Sequence, residues 1–416
     1  MGLRPMSLLV RHARILTLAQ PKMDGSSEGG VRPRRGAALR ELGVIPRGDV
    51  LMVEGKIAAV GADLAAPADA EVIEADGRVL MPGFVDCHTH ACWAGEGVDD
   101  WVKHLGGVSA AEISKQGGGL HATVRAVREA TRKQLAATLR TRLDPMLRAG
   151  ITTVEVKSGY GLSIEAELKM LNAILRVKQE WSGTVVPTAL LGHAIEGDMA
   201  AYTRMVVREM LPAVWHEFPG IAVDACCDAE GWPLEACARL FERAHKHGLP
   251  LRVQTDAVGS TGMIAEALKV FARSVDGLEG ATKADLLALA ASNTFGVMMP
   301  STGFHQGGRY ARAGAFVDSG GLLALATNYN PHTAPTFSMP MVIALAVRHC
   351  GLTPAEAITA CTVNAAAVLG LSDRGTIELG QRADVILLRH RDERLLAHEF
   401  GGNPVDAVFS AGLKVG

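Results

Sequence analysis

The sequence predicts an α/β chain: a (β/α)₈ TIM-like barrel joined to a small β-sandwich domain built from both chain ends. Three observations carry that expectation. From Met81 onward, apolar β-branched runs alternate with longer segments of helical period. Short β-rich runs separated by turn signals occupy the stretch before Met81. The same strand-and-turn chemistry returns in Gly375 to Leu388, GTIELGQRADVILL.

The elements follow in order. Residues 7 to 18 and 50 to 61 read as strands, with Glu54-Gly55 as a hairpin turn, and Val72-Ile73 and Arg78 to Leu80 continue the pattern. Between the first two runs, Pro21 to Arg47 is rich in Gly, Ser, Pro and Arg. It reads as an exposed, mobile excursion whose Arg32, Arg34, Arg35, Arg40 and Arg47 are solvated. The barrel strands are expected at Gly83 to Cys87, Thr152 to Val156, Val185 to Leu191, Ile221 to Cys227, Pro250 to Val253, Arg273 to Leu278, Phe295 to Met299 and Leu322 to Ala326. Eight such runs over about 290 residues match the size of a barrel with modest insertions. Ser109 with Glu112 signals one helix start, and Ser163 opens another at IEAELKMLNAIL. The expected boundaries are 1–80 with 374–416 for the composite β domain and 81–373 for the barrel.

A chain of 416 residues, 48% hydrophobic and 21% charged, buries a large core. Its 42 basic and 44 acidic residues leave a formal charge of −2, which is no footprint for nucleic acid or an anionic membrane. No apolar run reaches the roughly 18 uncharged residues of a membrane span. Seven cysteines, an odd number with Cys226 and Cys227 adjacent, argue against a secreted disulfide framework and for a reducing cytoplasm. A small-molecule substrate is the expected partner.

In such a barrel the working residues sit at the C-terminal strand ends. The first end, Asp86-Cys87-His88-Thr89-His90, puts two imidazoles two residues apart and so on one side of a strand, where both can aim at one metal ion. The second, Lys157-Ser158-Gly159-Tyr160-Gly161, offers a phenol, or else a packed tyrosine in a plain turn. The third, Leu191-Gly192-His193, offers another imidazole. The eighth, from Thr327 to Thr333, is an amide-rich loop without a carboxylate.

PGFVDCHTH, the run from Glu112 through GGGLHATVRAVREAT, GITTVEVKSGYG, LLGHA, CTVNAAAVLGL and GQRADVILL together resemble the imidazolonepropionase family of amidohydrolases over nearly the whole chain. That resemblance implies a metal-dependent opening of an imidazolone ring by hydrolysis of a cyclic amide or amidine C–N bond. It implies His88 and His90 as ligands of Zn or Fe, and Tyr160, His193, Asn330 and Thr333 as substrate-holding residues. It also implies a homodimer.

The remaining family positions differ. Gln254 stands where a third metal histidine is implied, Ala257 where a proton-transfer acid is, Gly277 where another imidazole is, and Asn328 where a metal-binding aspartate is. Gly97 replaces a substrate-gripping arginine, and His332 replaces a glycine. Gln and Asn are neutral oxygen donors that accept no proton near neutral pH. Zn or Fe is therefore expected to be weakened or absent. Loss of a catalytic base alone costs about 10²- to 10⁴-fold in rate.

Three routes to activity stay open. His193 or His332 can complete a rearranged metal site, or His305 can serve as base without metal. The alternatives to a hydrolase are a metal-free isomerase, lyase or cyclase, and a non-catalytic heterocycle-binding protein.

Overall fold

The computed structural model describes residues 7–20, 32–228 and 231–415. Near the N-terminus run β1 (Ser7–Leu16), β2 (Val44–Val53), β3 (Lys56–Gly61), β4 (Glu71–Glu74) and β5 (Val79–Pro82). The barrel strands are β6 (Phe84–Asp86), β7 (Ile151–Lys157), β8 (Thr184–Gly192), β9 (Ala222–Cys227), β10 (Leu251–Thr255), β11 (Ser274–Gly277), β12 (Phe295–Met298) and β13 (Leu323–Leu325). Last come β14 (Val385–Leu388), β15 (Val405–Ser410) and β16 (Leu413–Lys414).

Strands β6 to β13 pair in sequence order, every pair parallel, and all eight fall on the runs expected from the sequence. Their apolar character reflects helices outside and a packed interior, so β7 is buried at every position. The ring closes just beyond the strands. Thr89 bridges Tyr329 in parallel fashion, Asn328 N–H donates to His88 O at 3.1 Å, and His90 N–H donates to Tyr329 O at 2.9 Å.

The second sheet runs β16-β15-β14-β5-β1-β2-β3, with β4 added against β1, and thus joins both chain ends. Glu54 and Gly55 form its hairpin turn with φ of 49° and 79°, the left-handed pair that a two-residue hairpin requires. The helix over Ile164–Glu180 starts where Ser163 predicts, the Ser163 hydroxyl accepting from Ala166 N at 3.3 Å. Ser109 caps Ala110–Lys115 in the same way.

The Arg-rich excursion is a correction. Residues 21–31 lie outside the described residues; Arg32, Arg40 and Arg47 are exposed as expected, whereas Arg34 and Arg35 are held against the barrel rather than solvated. Arg34 is buried, its backbone N–H donating to Asn364 Oδ1 at 2.7 Å and its guanidinium to the carbonyls of Leu18 and Glu41. Arg35 donates to the carbonyls of Ala290 and Gly320 and to Asn293 Oδ1, and Arg40 pairs with Glu356. Loop and helix ends at this face of the barrel leave carbonyls without partners, and the arginines satisfy them. Charge content suggested a solvated loop because composition carries no information about those distant acceptors.

Arg374 ties the two sheets together, donating to Thr153 Oγ1 at 2.9 Å, Thr184 Oγ1 at 2.7 Å and Asp384 Oδ2 at 3.2 Å. Both ends of this ion pair are buried. Arg374→Ala is expected to lose about 3 kcal/mol, since it strips a buried carboxylate of a partner. The guanidinium chloride unfolding midpoint measures it, and a midpoint within error of wild type contradicts the assignment.

Candidate active site

Alternation along parallel strands sends every second side chain into the barrel. In β7 these include Glu155 and Lys157, in β9 Asp224, in β10 Arg252 and Gln254, and in β11 Asp276. Glu155, Lys157, Asp224, Arg252 and Asp276 form one buried ionic lattice. Lys157 Nζ donates to Asp224 Oδ2 at 2.5 Å and Glu155 Oε1 at 2.7 Å. Arg252 bridges Glu155 Oε1 at 3.1 Å and Asp276 Oδ2 at 2.7 Å. All five are fully enclosed.

His88 rests on this lattice. Its Nδ1 lies 2.6 Å from Asp276 Oδ2, and burial together with Lys157 and Arg252 holds its pKa well below the usual histidine value. The ring is thus neutral with its proton on Nδ1, and Nε2, buried near the Gln254 amide without a well-formed hydrogen bond, presents a lone pair. His90 is held neutral by burial and by its histidine neighbours, and its Nδ1 is likewise unpartnered.

His193 joins them across the mouth. Its Nδ1 donates to Gly159 O at 2.9 Å, and burial lowers its pKa to about 4, so Nε2 is a free acceptor at neutral pH. Gly159 has φ +109°, and a Cβ there would meet Leu190 at 2.9 Å, so only glycine presents that carbonyl. Tyr160 stacks edge-on to His193 with ring centroids 5.0 Å apart. His90 lies 5.3 Å from His88 and from His193, and 6.1 Å from Tyr160. Burial pushes the Tyr160 phenol pKa up, so it remains an O–H donor.

The other expected site residues are distributed differently. His332 bonds through Nε2 to Thr123 Oγ1 at 2.9 Å, is kept neutral chiefly by burial, and lies close enough to His90 and His193 to lower their pKa values. His305 stands at the rim, half-buried, stacked on Trp101 with centroids 6.5 Å apart and engaged with the His332 carbonyl. Asn330 spends its amide inside the loop, accepting from His332 N and Thr333 N and donating to Asn328 O and Thr333 Oγ1. Thr333 is its partner there. Asn328 donates to Thr302 Oγ1 at 3.0 Å while its buried Oδ1 has no partner, and Gln254 Oε1 receives the Cys226 thiol at 3.7 Å. A side chain at Gly97 would begin 2.6 Å from Pro331 O and 3.4 Å from His332 Nδ1, so the eighth loop occupies the space beside that position.

A hydrolytic Zn or Fe centre takes three or four protein donors, with carboxylate or thiolate charge or several imidazoles among them. Among the described residues no three His, Cys, Asp or Glu side chains are arranged to hold an ion. His88 and His90 are accompanied by the neutral amides Gln254 and Asn328. The neighbouring carboxylates are committed, Asp276 to Arg252 and His88, and Asp86 to the Thr327 N–H and hydroxyl. These residues do not make a three-ligand metal centre, so the steps below belong to the chain's own side chains.

The ionic lattice was missed in the sequence although its signal is there: Glu155 and Lys157 stand two apart in an otherwise uncharged strand, and Arg252 is the one charge in another.

Residues 103–399 match the family model described as amidohydrolase family. The imidazolonepropionase of Deinococcus radiodurans is 41% identical over 383 residues, covering 92% of this chain and 96% of that protein. The imidazolonepropionase of Solibacter usitatus is 38% identical, covering 98% and 97%. Among solved structures, E. coli guanine deaminase superposes with a TM-score of 0.70 at 14% identity, covering 98% of this chain and 99% of its own, a likeness of fold.

A pH prediction follows from His193. Its folded pKa, about 4, lies below the unfolded value near 6.5, so the neutral ring contributes stability above about pH 6.5 that is lost as pH falls through about 4. The stability difference between wild type and His193→Gln, measured by urea unfolding, is expected to shrink by about 3 kcal/mol from pH 7 to pH 4. A difference independent of pH contradicts it.

Proposed function

The chain belongs to the amidohydrolase family, on its imidazolonepropionase branch, and on that premise we propose how its rearranged mouth hydrolyses a cyclic amide or amidine C–N bond in a small imidazolone-type ring. It is a hydrolase acting on C–N bonds. One observation carries the proposed mechanism: His88, His90, His193 and Tyr160 converge as neutral imidazoles and a protonated phenol, with ring centroids of neighbouring pairs 5.0 to 6.1 Å apart.

That set complements such a ring. The lone pairs on His88 Nε2 and His193 Nε2 accept ring N–H groups, and the Tyr160 hydroxyl donates to the carbonyl oxygen that gains negative charge as water adds. A buried acceptor left unpaired costs about 1–3 kcal/mol, so a ligand that pairs with His88 Nε2 and Asn328 Oδ1 recovers that cost on binding. Asn330 and Thr333 shape the loop beneath the ligand, and His332 lines the wall beside Gly97. His305 is the rim histidine, positioned to meet a substituent on the ring. Neither the site nor the comparisons favour an isomerase, lyase, cyclase or purely binding role.

Amidohydrolases generally use metal ions. In this chain we assign Zn or Fe a weakened place, because two imidazoles with the Gln254 and Asn328 amides are a neutral and incomplete donor set. Elemental analysis of protein purified without added metal is expected to find well under one equivalent of Zn or Fe; a full equivalent retained through dialysis refutes the assignment.

All seven cysteines are free, which supports placement in a reducing cytoplasm. No helix among the described residues is long and apolar enough to cross a membrane. A homodimer is proposed on resemblance alone.

The tail of the substrate gives the decisive test. With glycine at 97 and a neutral His332 beside it, a carboxylate tail has no guanidinium to grip there, a charge-assisted contact worth about 1.5–3 kcal/mol. Assays of imidazolone propanoate and of a neutral-tailed imidazolone of similar size are expected to give kcat/KM values within about tenfold of each other. A strong preference for the propanoate contradicts the tail assignment, and no turnover of either refutes the function.

A further inference from the structure

A carboxyl group that no motif announced stands beside this mouth. Strand β11 ends at Gly277, and the chain then makes two successive left-handed turns, with φ +98° at Gly277 and +76° at Leu278. For leucine that conformation is strained and persists only where the surroundings fix it. Here they do: Leu278 N–H donates to Thr255 O at 3.2 Å and Gly280 N–H to Asp256 O at 2.6 Å.

The double turn folds Glu279 back over the strand end. A Cβ built on Gly277 would lie 3.2 Å from Glu279 Oε2 and 3.9 Å from Gln254 Cγ. The carboxyl therefore borders the space that a side chain at 277 would enter, a space that Gln254 borders as well, at the ends of β10 and β11. The residue as a whole is mostly buried but keeps partial exposure to solvent.

Each of the other carboxylates near these strand ends holds a partner through at least one oxygen, the second oxygens of Asp256 and Asp276 being buried without one. Asp276 is in the ionic lattice, Asp86 holds Thr327, Asp256 Oδ1 holds the Thr255 and Thr261 hydroxyls, and Asp228 accepts from Ala257 N. Glu279 accepts a bond from its own backbone N–H. The charged or titratable groups facing it are Asp228 beyond β9, Arg309 beyond β12 and the Cys350 thiol.

We propose that Glu279 is the proton-transfer residue of this chain. It takes a proton from the water whose oxygen bonds to the ring carbonyl carbon, and returns that proton to the ring nitrogen as the C–N bond breaks. The inference deepens the hydrolytic reading above and rests on it. Burial and Asp228 push the carboxyl up to about 7, against a weaker opposing pull from Arg309, which suits a group that must both accept and release a proton near neutrality.

The experiment has a catalytic and a spectroscopic arm. With an imidazolone substrate, Glu279→Gln is expected to lower kcat by about 10²- to 10⁴-fold with KM within a few-fold and an unchanged unfolding temperature. Glu279→Asp is expected to retain more activity than Glu279→Gln and to shift the pH profile. In infrared difference spectra of the protein alone between pH 6 and pH 8, wild type should show a protonated-carboxyl band, lost on raising the pH, beyond that of Asp86, which burial also pushes up to about 7, and Glu279→Gln should lack that additional band. Glu279→Gln at wild-type kcat, or no such band, overturns the assignment of Glu279. Wild-type protein inert toward every cyclic amide tested sinks the hydrolytic reading, while the infrared arm still judges Glu279.

Discussion

The ionic lattice inside the barrel is the constraint on which the rest of the mouth depends. Glu155, Lys157, Asp224, Arg252 and Asp276 are enclosed where moving a lone charge out of water costs several kcal/mol. They survive there because each is paired, and removing one leaves another uncompensated. The lattice reaches the ligand side at two points, the Asp276 contact to His88 Nδ1 and Glu155 Oε2, which accepts from Thr89 N–H at 3.0 Å. Through the Asp276 contact a structural ion network fixes the tautomer of the His88 imidazole.

From this base the mouth is built out of neutral groups. Burial first, and then the cations beneath it and histidines beside it, make further positive charge unfavourable, so His88, His90 and His193 all remain uncharged. Uncharged imidazoles with fixed lone pairs suit hydrogen-bonded recognition of a ring carrying N–H groups. They are less suited to compensating the charge of a divalent ion, and the amides at 254 and 328 add no charge of their own. The chemistry that remains asks for an acidic group from elsewhere, and the turn after β11 provides one.

Much of this was legible in the residues. The barrel strands could be read because burial on both faces leaves continuous β-branched runs, and His88, His90, Tyr160 and His193 could be read because strand ends are where such a barrel does its work. Glu54-Gly55 declared its hairpin through turn chemistry alone. Less could be learned where the partner is distant. Arg34 and Arg35 look like solvated charges until the carbonyls of Leu18 and Ala290 stand next to them. Glu279 carries no local signature either, because its place depends on two backbone angles and on the absence of a side chain at 277. The intraloop bonds of Asn330 to Asn328, His332 and Thr333 had no local signature either.

The closing bridge between Thr89 and Tyr329 joins segments 240 residues apart in the chain. Long-range parallel pairing of this kind pays its loop entropy before it gains contacts. A ribosome extending this polypeptide therefore releases the imidazole pair early and its opposite wall late. Until that wall emerges, the seam beside His88 and His90 has no neighbour, and the site matures only with one of the last barrel strands to be made.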